Sequence, residues 1–428
     1  MEDIVLYNIL VYVTSFFGLF TTIFFFYTLW EYKHRIKDPE VDLNKKEDTP
    51  FVSVVMPAFN EGKNIKKTVE SVQKLNYPRD RMEIVLVDDG STDDTFEVIK
   101  KMALKDSRIK AYTKKNGGTA DAKNFGIKRA RGEFIVTLDS DSFVSPDALK
   151  NMIGYMKDKK VMAVTPSMSV YKPKGFLQNL QYVEYTLGIY LRKVFGLLNC
   201  IHVTPGPFSI YRKSFFEKYG YFETGNLTED IEIALRIQKH GYKIENSIHA
   251  GVYTVAPNNF KALLNQRMRW YYGFVQNILR NRDLFKPKYG YLALIMLPAA
   301  FISVALTVLI FFYFIYKNIQ FVVDKIIYVL VTKTDLFTVE LKSFRLQYIT
   351  DVLNNFITNP FILLAIVALI LTIISVMFAK RSVKDSHKMF WPFVLFALTY
   401  WFFYAFWWLA PFIWKGLGGK IKWGKRFY

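Results

Sequence analysis

The sequence predicts an α/β domain, with a mostly parallel sheet and helices on both faces, set between transmembrane helices. Three observations predict it. Strand and helix signals alternate over residues 49–283, the rhythm of a parallel sheet covered by helices. Four stretches, 4–30, 289–316, 352–379 and 389–414, contain no Asp, Glu, Lys or Arg, and each exceeds the roughly 20 residues that cross a bilayer core. Acidic loops follow three of the strands, at the sheet end where such folds bind ligands.

The elements follow in order. The first apolar stretch has an acidic flank, "MED", and is too long for a signal core, so it is expected to be a retained span. The basic "EYKHRIK" after it places the N-terminus outside and the next domain in the cytoplasm. "FVSVVMPAFN" reads as a strand ending in a Pro-bearing turn, and "KNIKKTVESVQKL" has helical spacing. "MEIVLVDDG" is a buried strand leading into "STDDTFEVIKKMALK", whose Ser and Asp residues suit a helix N-terminus. "RIKAYT", "ADAKNFGIKRA" and "EFIVTL" continue as strand, helix and strand, and "VMAVTPSMSV" is a further apolar run. "FLQNLQYVEYTLGIYLRKVFGLL" reads as a long amphipathic helix docked on the membrane, and "HVTPGPFSIYRK" as irregular. "TEDIEIALRIQKHG" is a helix stopped by Gly241. "NNFKALLNQRMRWYYGFVQNILRNRD" leads into the second span. In the third stretch, Asn354, Asn355, Asn359 and Pro360 move the expected span start to near Phe361.

Topology stays open among three arrangements, one of which has a long stretch lying partly in the interface. Four spans put the strongly basic tail, "KGLGGKIKWGKRFY", outside, against the positive-inside rule. A fifth element at "IQFVVDKIIYVLV" would return the tail to the inside but put "KRSVKDSHK" outside.

Composition narrows the function classes. The 428 residues are 51% hydrophobic and 17% aromatic, and the only cysteine is Cys200, so there is neither a disulfide framework nor a thiolate metal cluster. Net charge is +20. Much of that excess flanks apolar runs, where lipid head groups explain it, and no zinc-finger or RNP-type pattern occurs, so no nucleic acid is expected. The four spans carry no charge to mark an ion path, which argues against a transporter or channel.

Chemistry gathers in the loops. "VVMPAFNE" ends in Asn60 and Glu61, "VLVDDGS" carries Asp88, Asp89 and Gly90, and "VTLDSDS" carries Asp139 and Asp141. Any one loop is explained by ordinary turn chemistry; three at one end of a sheet are harder to explain that way. Asp139 and Asp141, at i and i+2 after a buried strand, can converge on one hard cation, Mg²⁺ or Mn²⁺. In "LTEDIEIALR", Glu229 and Asp230 suit the first turn of a helix capped by Thr228, or Asp230 serves as a general base. In "QRMRW", Arg267 and Arg269 can clamp a diphosphate and Trp270 can stack on a sugar ring; the competing reading is snorkelling at a membrane interface.

In that order, "DDG", "DSD", "TED" and "QRMRW" resemble the signature of membrane-bound glycosyltransferase family 2, which includes cellulose, chitin, hyaluronan and poly-N-acetylglucosamine synthases. The fourth motif, Gln-(Gln/Arg)-x-Arg-Trp, is met throughout, and the resemblance covers residues 51–283. It implies a GT-A (nucleotide-diphospho-sugar transferase) fold, a nucleotide-sugar donor (a UDP-sugar), a divalent metal and inverting transfer. By matching position, Asn60, Glu61, Asp88 and Asp89 would contact the nucleotide. Asp139 and Asp141 would hold the metal and diphosphate, and Asp230, beside Glu229, would be the catalytic base. Gln266, Arg267, Arg269 and Trp270 would hold diphosphate and acceptor. "PGPFSIYRK", near Gly206 and Arg212, resembles the acceptor-side loop.

One departure stands in "NGGTADAKNFG": Thr119 falls where many polymer-making members carry lysine, while Lys123 matches the basic residue of the wider family and is expected on the diphosphate. The implied division is 1–48 for the first span and linker, 49–258 for a cytoplasmic catalytic domain, 259–288 for an interfacial helix, and 289–428 for about three further helices. The expected product is a growing β-linked polysaccharide made at the plasma membrane. The same-class alternative is transfer of one sugar to a lipid acceptor, favoured by Thr119 and the few spans. A non-catalytic membrane scaffold is the different-class rival, disfavoured because every acidic motif position is filled. Expected partners are the donor, a saccharide or lipid acceptor, the bilayer, and a second copy or small membrane subunit to complete a channel.

Overall fold

The computed structural model describes residues 2–333, 360–383, 385–423 and 426–427. Helix α1 (Glu2–Glu31) is the first apolar stretch. The α/β domain begins with β1 (Val52–Ala58), α2 (Ile65–Gln73), β2 (Met82–Asp88), α3 (Thr95–Lys105), β3 (Ile109–Thr113), α4 (Thr119–Arg129) and β4 (Phe134–Thr137). Every residue of β1, β2 and β4 is buried, as strands covered on both faces must be. The two-residue pleat sorts their side chains. Val52, Val54 and Met56 join a core with Ile65, Val69 and Ile99 of α2 and α3. Val55, Val85 and Val87 join the opposite core with Ala120 and Ile127 of α4.

The domain continues with β5 (Ser142–Val144), α5 (Ala148–Ile153), β6 (Val161–Val170), α6 (Gly175–Leu197), β7 (Ser209–Arg212), α7 (Lys213–Tyr219), α8 (Glu229–Lys239), β8 (Lys243–Thr254) and α9 (Phe260–Arg280). The sheet order is β3-β2-β1-β4-β7-β6-β8-β5. The β3-β2-β1-β4 half is parallel, but β7 runs antiparallel to both β4 and β6. The sheet is therefore mixed: six of its eight strands run one way, as the mostly parallel expectation requires, and β7 and β5 run against them. Register supplies the reason. Ser209, the first residue of β7, pairs with Thr137, the last of β4. The chain enters β7 at the ligand end of the sheet, so no crossover helix is used and the strand must run backwards. This entry brings the 202–207 loop beside the end of β4.

Three further long apolar helices follow: α10 (Leu297–Thr332), preceded by a π-helical turn at Leu292–Met296, α11 (Pro360–Ser382) and α12 (Phe390–Gly416). With α1, four helices among the described residues are long and apolar enough to cross a membrane. Residues 352–359, the start of the third expected span, lie outside the described residues. "IQFVVDKIIYVLV" is not a separate fifth element; it continues α10 to Thr332. At 1.5 Å per residue the helical run 292–332 is about 60 Å long, twice the hydrocarbon core.

The connection after α11 returns to the α/β domain. His387 lies edge-on to Tyr182 of α6, with ring centroids 4.9 Å apart, and Met389 packs with the Tyr182–Tyr185 cluster. At the other end of α12, Phe412 packs on Tyr272 of α9 at 5.9 Å and Lys415 sits over the same ring. Both flanks of α12 thus touch the α/β domain.

Candidate active site

The loops after β1, β2 and β4 and the N-termini of α4 and α8 meet α6 and α9 around one cavity of about 890 Å³. Glu61, Asp89, Lys123, Asp139, Asp141, Gly206, Glu229, Asp230, Gln266, Arg267, Arg269 and Trp270 line it. Asn60 and Asp88 do not. Asn60 takes a positive φ of 57°, and its Oδ1 accepts from the Thr92 backbone N–H at 2.9 Å. Asp88 accepts from the Thr113 hydroxyl at 2.7 Å and the Ser91 N–H at 3.1 Å. Both shape the donor-end loops from behind. Arg212 lies elsewhere, donating to the Met156 carbonyl at 2.7 Å.

Asp89 is 3% exposed. Its carboxylate accepts from the Gly117 and Gly118 N–H groups at 2.9 and 2.7 Å and from Lys114 at 2.9 Å. It therefore orders the loop that starts α4, whose first residue, Thr119, also lines the cavity.

At the cavity centre, Lys123 bridges two acidic motifs. Its Nζ lies 3.1 Å from Glu229 Oε1 and 3.6 Å from Asp139 Oδ1. Burial opposes its charge, but Asp139 and Glu229 outweigh that and keep it an ammonium. Burial likewise raises Glu229, yet Lys123 and Arg269 overcome it and hold Glu229 ionised. Asp230, one residue on, feels Arg269 and Lys123 as well, but they do not outweigh burial. Burial, and then the Glu229 charge, push its carboxyl up to about 6. Adjacent acids thus have different protonation behaviour, the pattern of a carboxylate tuned toward general-base work. Thr228 does not cap α8 through its side chain; its hydroxyl instead accepts from Asn277 of α9 at 2.9 Å. Asn277 also exchanges hydrogen bonds with Asn226 at 2.8 and 3.1 Å. Gly273 permits this approach, since a Cβ there would sit 2.5 Å from Thr228 Oγ1.

Asp139 and Asp141 fit a hard divalent cation. Burial and the Asp139 charge push the Asp141 carboxyl up to about 6, so the pair carries a repulsion that a cation relieves. Gly206 leaves the space: a Cβ there would lie 2.7 Å from Asp139 Oδ2. Among the described residues no group of three or more His, Cys, Asp or Glu is arranged to hold a metal ion.

The "QRMRW" helix splits its work. Arg269 donates to the Leu227 carbonyl at 3.2 Å and feels Glu229, Asp230 and Asp139. Trp270 lines the cavity with Tyr185, ring centroids 6.4 Å apart. Gln266 also lines it, and its buried Oε1 has no protein partner. Arg267 is 1% exposed and is committed to Glu184 of α6 through two hydrogen bonds of 2.8 and 2.7 Å. Glu184, Arg192, His202, Asn226 and Asn277 escaped the sequence reading. The available signal was three charges, Glu184, Arg192 and Lys193, on a largely apolar amphipathic helix.

From the loops after β1 and β2 the cavity runs on to Phe274 of α9 and to Ala300, Tyr404 and Trp408 of the apolar helices α10 and α12. Residues 53–220 match glycosyl transferase family 2, and the chain carries that domain. It is similar to the poly-beta-1,6-N-acetyl-D-glucosamine synthase of Staphylococcus aureus (strain COL), 29% identical over 280 residues that cover 64% of this chain and 67% of that one. The protein of the same name from Staphylococcus epidermidis is 30% identical over 232 residues, 54% of this chain and 56% of that one. Among solved structures, the mannosyltransferase PcManGT from Pyrobaculum calidifontis in complex with GDP-Man and Mn²⁺ aligns with a TM-score of 0.49 and 20% identity, over 86% of this chain and 99% of that one.

Proposed function

We propose that this chain is a membrane-embedded, inverting, metal-dependent glycosyltransferase that moves N-acetylglucosamine from a UDP-sugar to a growing β-linked polysaccharide. One observation carries the reading. A carboxyl tuned to about 6, Asp230, shares a cavity with a paired-aspartate site, a tryptophan platform and an exit toward the membrane helices. The names of the staphylococcal relatives support the sugar and the polymer.

In this mechanism Asp230 accepts the proton of the acceptor hydroxyl. The hydroxyl oxygen forms a bond to the anomeric carbon as the bond from that carbon to the diphosphate breaks. A single displacement inverts the centre, and no nucleophile from the protein is needed. Asp139 and Asp141 would hold a divalent cation, which when bound neutralises charge on the departing diphosphate. Lys123 and Arg269 add fixed positive charge on the same side. Trp270 and Tyr185 offer flat faces to the acceptor ring, and Asp89 keeps the 114–118 loop closed around the donor end.

The contacts of His387, Met389, Phe412 and Lys415 with the α/β domain support one membrane placement. With the α/β domain in the cytoplasm, α1, α10 and α11 cross, and α12 rests along the interface with both flanks inside. "KRSVKDSHK" and the basic tail then both face the cytoplasm, as the positive-inside rule asks of these two basic segments.

The test incubates the protein in lipid nanodiscs with a panel of labelled nucleotide sugars and Mg²⁺ or Mn²⁺, then sizes the product. Polymer from UDP-N-acetylglucosamine is expected. Transfer of one sugar to lipid, the reading favoured by Thr119 on the cavity wall, would replace it.

A further inference from the structure

We propose that Arg192 and His202 form a saccharide-acceptor subsite beyond Asp230, where they bind hydroxyl or amide groups of the acceptor chain. The proposal rests on the polysaccharide reading above and extends it to residues outside all four motifs.

Both side chains line the cavity. Arg192 projects from α6, two turns after Glu184. Its hydrogen bond to the Pro166 carbonyl is long, 3.4 Å, and it makes no ion pair among the described residues. Asp230 and Tyr185 offset its charge only at longer range. A guanidinium carries five N–H donors, so most of this one's capacity faces the cavity. When an acceptor fills that space and expels water, each N–H must find an oxygen or remain unsatisfied.

His202 stands beside it. Its ring is edge-on to Phe274 at 5.8 Å and lies 5.7 Å from Phe195. Its buried Nδ1 has no partner at hydrogen-bonding geometry. Burial and the Arg192 charge push the imidazole down to about 4 against a hydrogen bond to the Cys200 backbone, so at neutral pH the ring is uncharged, its donor engaged by Cys200 and its other nitrogen an acceptor. The loop is tied to the proposed base: two residues on, the Thr204 N–H and hydroxyl donate to the Asp230 carbonyl at 3.2 and 2.9 Å. An acceptor hydroxyl placed at Asp230 therefore carries the rest of the acceptor past His202 and Arg192.

The surroundings favour a neutral sugar over a lipid phosphate. Glu184, Glu229 and Asp230 line the same cavity, and a phosphate there would add negative charge against Asp230, whose ionised form is already disfavoured. A saccharide adds none and uses the faces of Trp270 and Tyr185. An acceptor without an oxygen near Arg192 leaves a buried cation unpaired, which makes the residue selective.

The experiment uses the full chain in nanodiscs with UDP-N-acetylglucosamine and N-acetylglucosamine oligosaccharides of defined length. Arg192→Gln should raise the oligosaccharide KM by about 10- to 100-fold, the loss of charge-assisted hydrogen bonds, while UDP affinity measured by calorimetry stays at the wild-type value. Arg192→Lys, which keeps the charge but not the fork, should fall between. His202→Phe keeps the packing on Phe274 and Phe195 and should also raise acceptor KM. An unchanged acceptor KM in Arg192→Gln protein that still binds UDP overturns the subsite and leaves the polysaccharide reading standing. Wild-type protein that labels only a lipid phosphate, with Arg192 needed for it, overturns both.

Discussion

Arg267 and Glu184 form a bidentate ion pair, with nitrogen–oxygen distances of 2.8 and 2.7 Å, between α9 and α6. The guanidinium carbon lies 4.5 Å from the Trp270 ring centroid, and the Tyr400 hydroxyl of α12 bonds the same carboxylate. The first arginine of "QRMRW" is thus the rear support of the tryptophan and a joint to the membrane helix. In the proposed mechanism it positions Trp270 rather than gripping diphosphate.

Glu184→Gln leaves the Arg267 cation buried without its counter-charge. Breaking a buried pair costs about 3–5 kcal/mol, and the low end applies because the Glu184 side chain is 22% exposed. Thermal unfolding in detergent should show a midpoint several degrees lower. Transfer should fall at least about tenfold with UDP affinity retained. Arg267→Lys should behave similarly, since an ammonium reproduces neither the fork nor the stacking. Wild-type transfer by both variants would remove the positioning role.

Asp230 must be ionised to accept a proton. Its carboxyl is raised to about 6, so the active form predominates above that pH and is lost as pH falls through it. The rate at saturating donor should drop about tenfold per unit well below pH 6. Asp230→Asn should lower turnover by at least about 100-fold and abolish the acidic limb, with UDP binding preserved. An unaltered pH profile in the variant would assign the limb to another group.

Gly206→Ala should impair the donor end selectively. The added Cβ would sit 2.7 Å from Asp139 Oδ2, so either the carboxylate or the 202–207 loop must shift. The concentration of Mn²⁺ giving half-maximal activity should rise severalfold, read in a metal titration. Chelation should abolish wild-type transfer and added metal should restore it.

Membrane placement is testable with cysteines, because the native Cys200 is buried. Ser386→Cys and Lys420→Cys, either side of α12, should both react with an impermeant maleimide only in inside-out vesicles. Labelling of Lys420→Cys from outside would make α12 a crossing helix.

Much of this was legible from local signals. Apolar strands with acidic ends appear as β1, β2 and β4. The motifs "DSD", "TED" and "QRMRW" do meet in one cavity. Local signals failed where direction or partner choice depends on distant chain. The reversal of β7 is set by the end at which the 198–208 segment enters the sheet, which hydrophobic periodicity does not encode. "IQFVVDKIIYVLV" has the composition of a separate element, but no breaker precedes it, and α10 simply continues.

Sequence by itself determined the strand–helix rhythm, the four apolar helices and the residue types of the site, because each depends on neighbours a few positions apart. Tertiary structure alone decided which charges are spent on one another. Arg267 meets Glu184 across 83 residues, Lys123 meets Glu229 across 106, and Arg192 is left facing the cavity. Those pairings settle which groups remain for a substrate, since a buried charge is available only when no nearer partner has taken it.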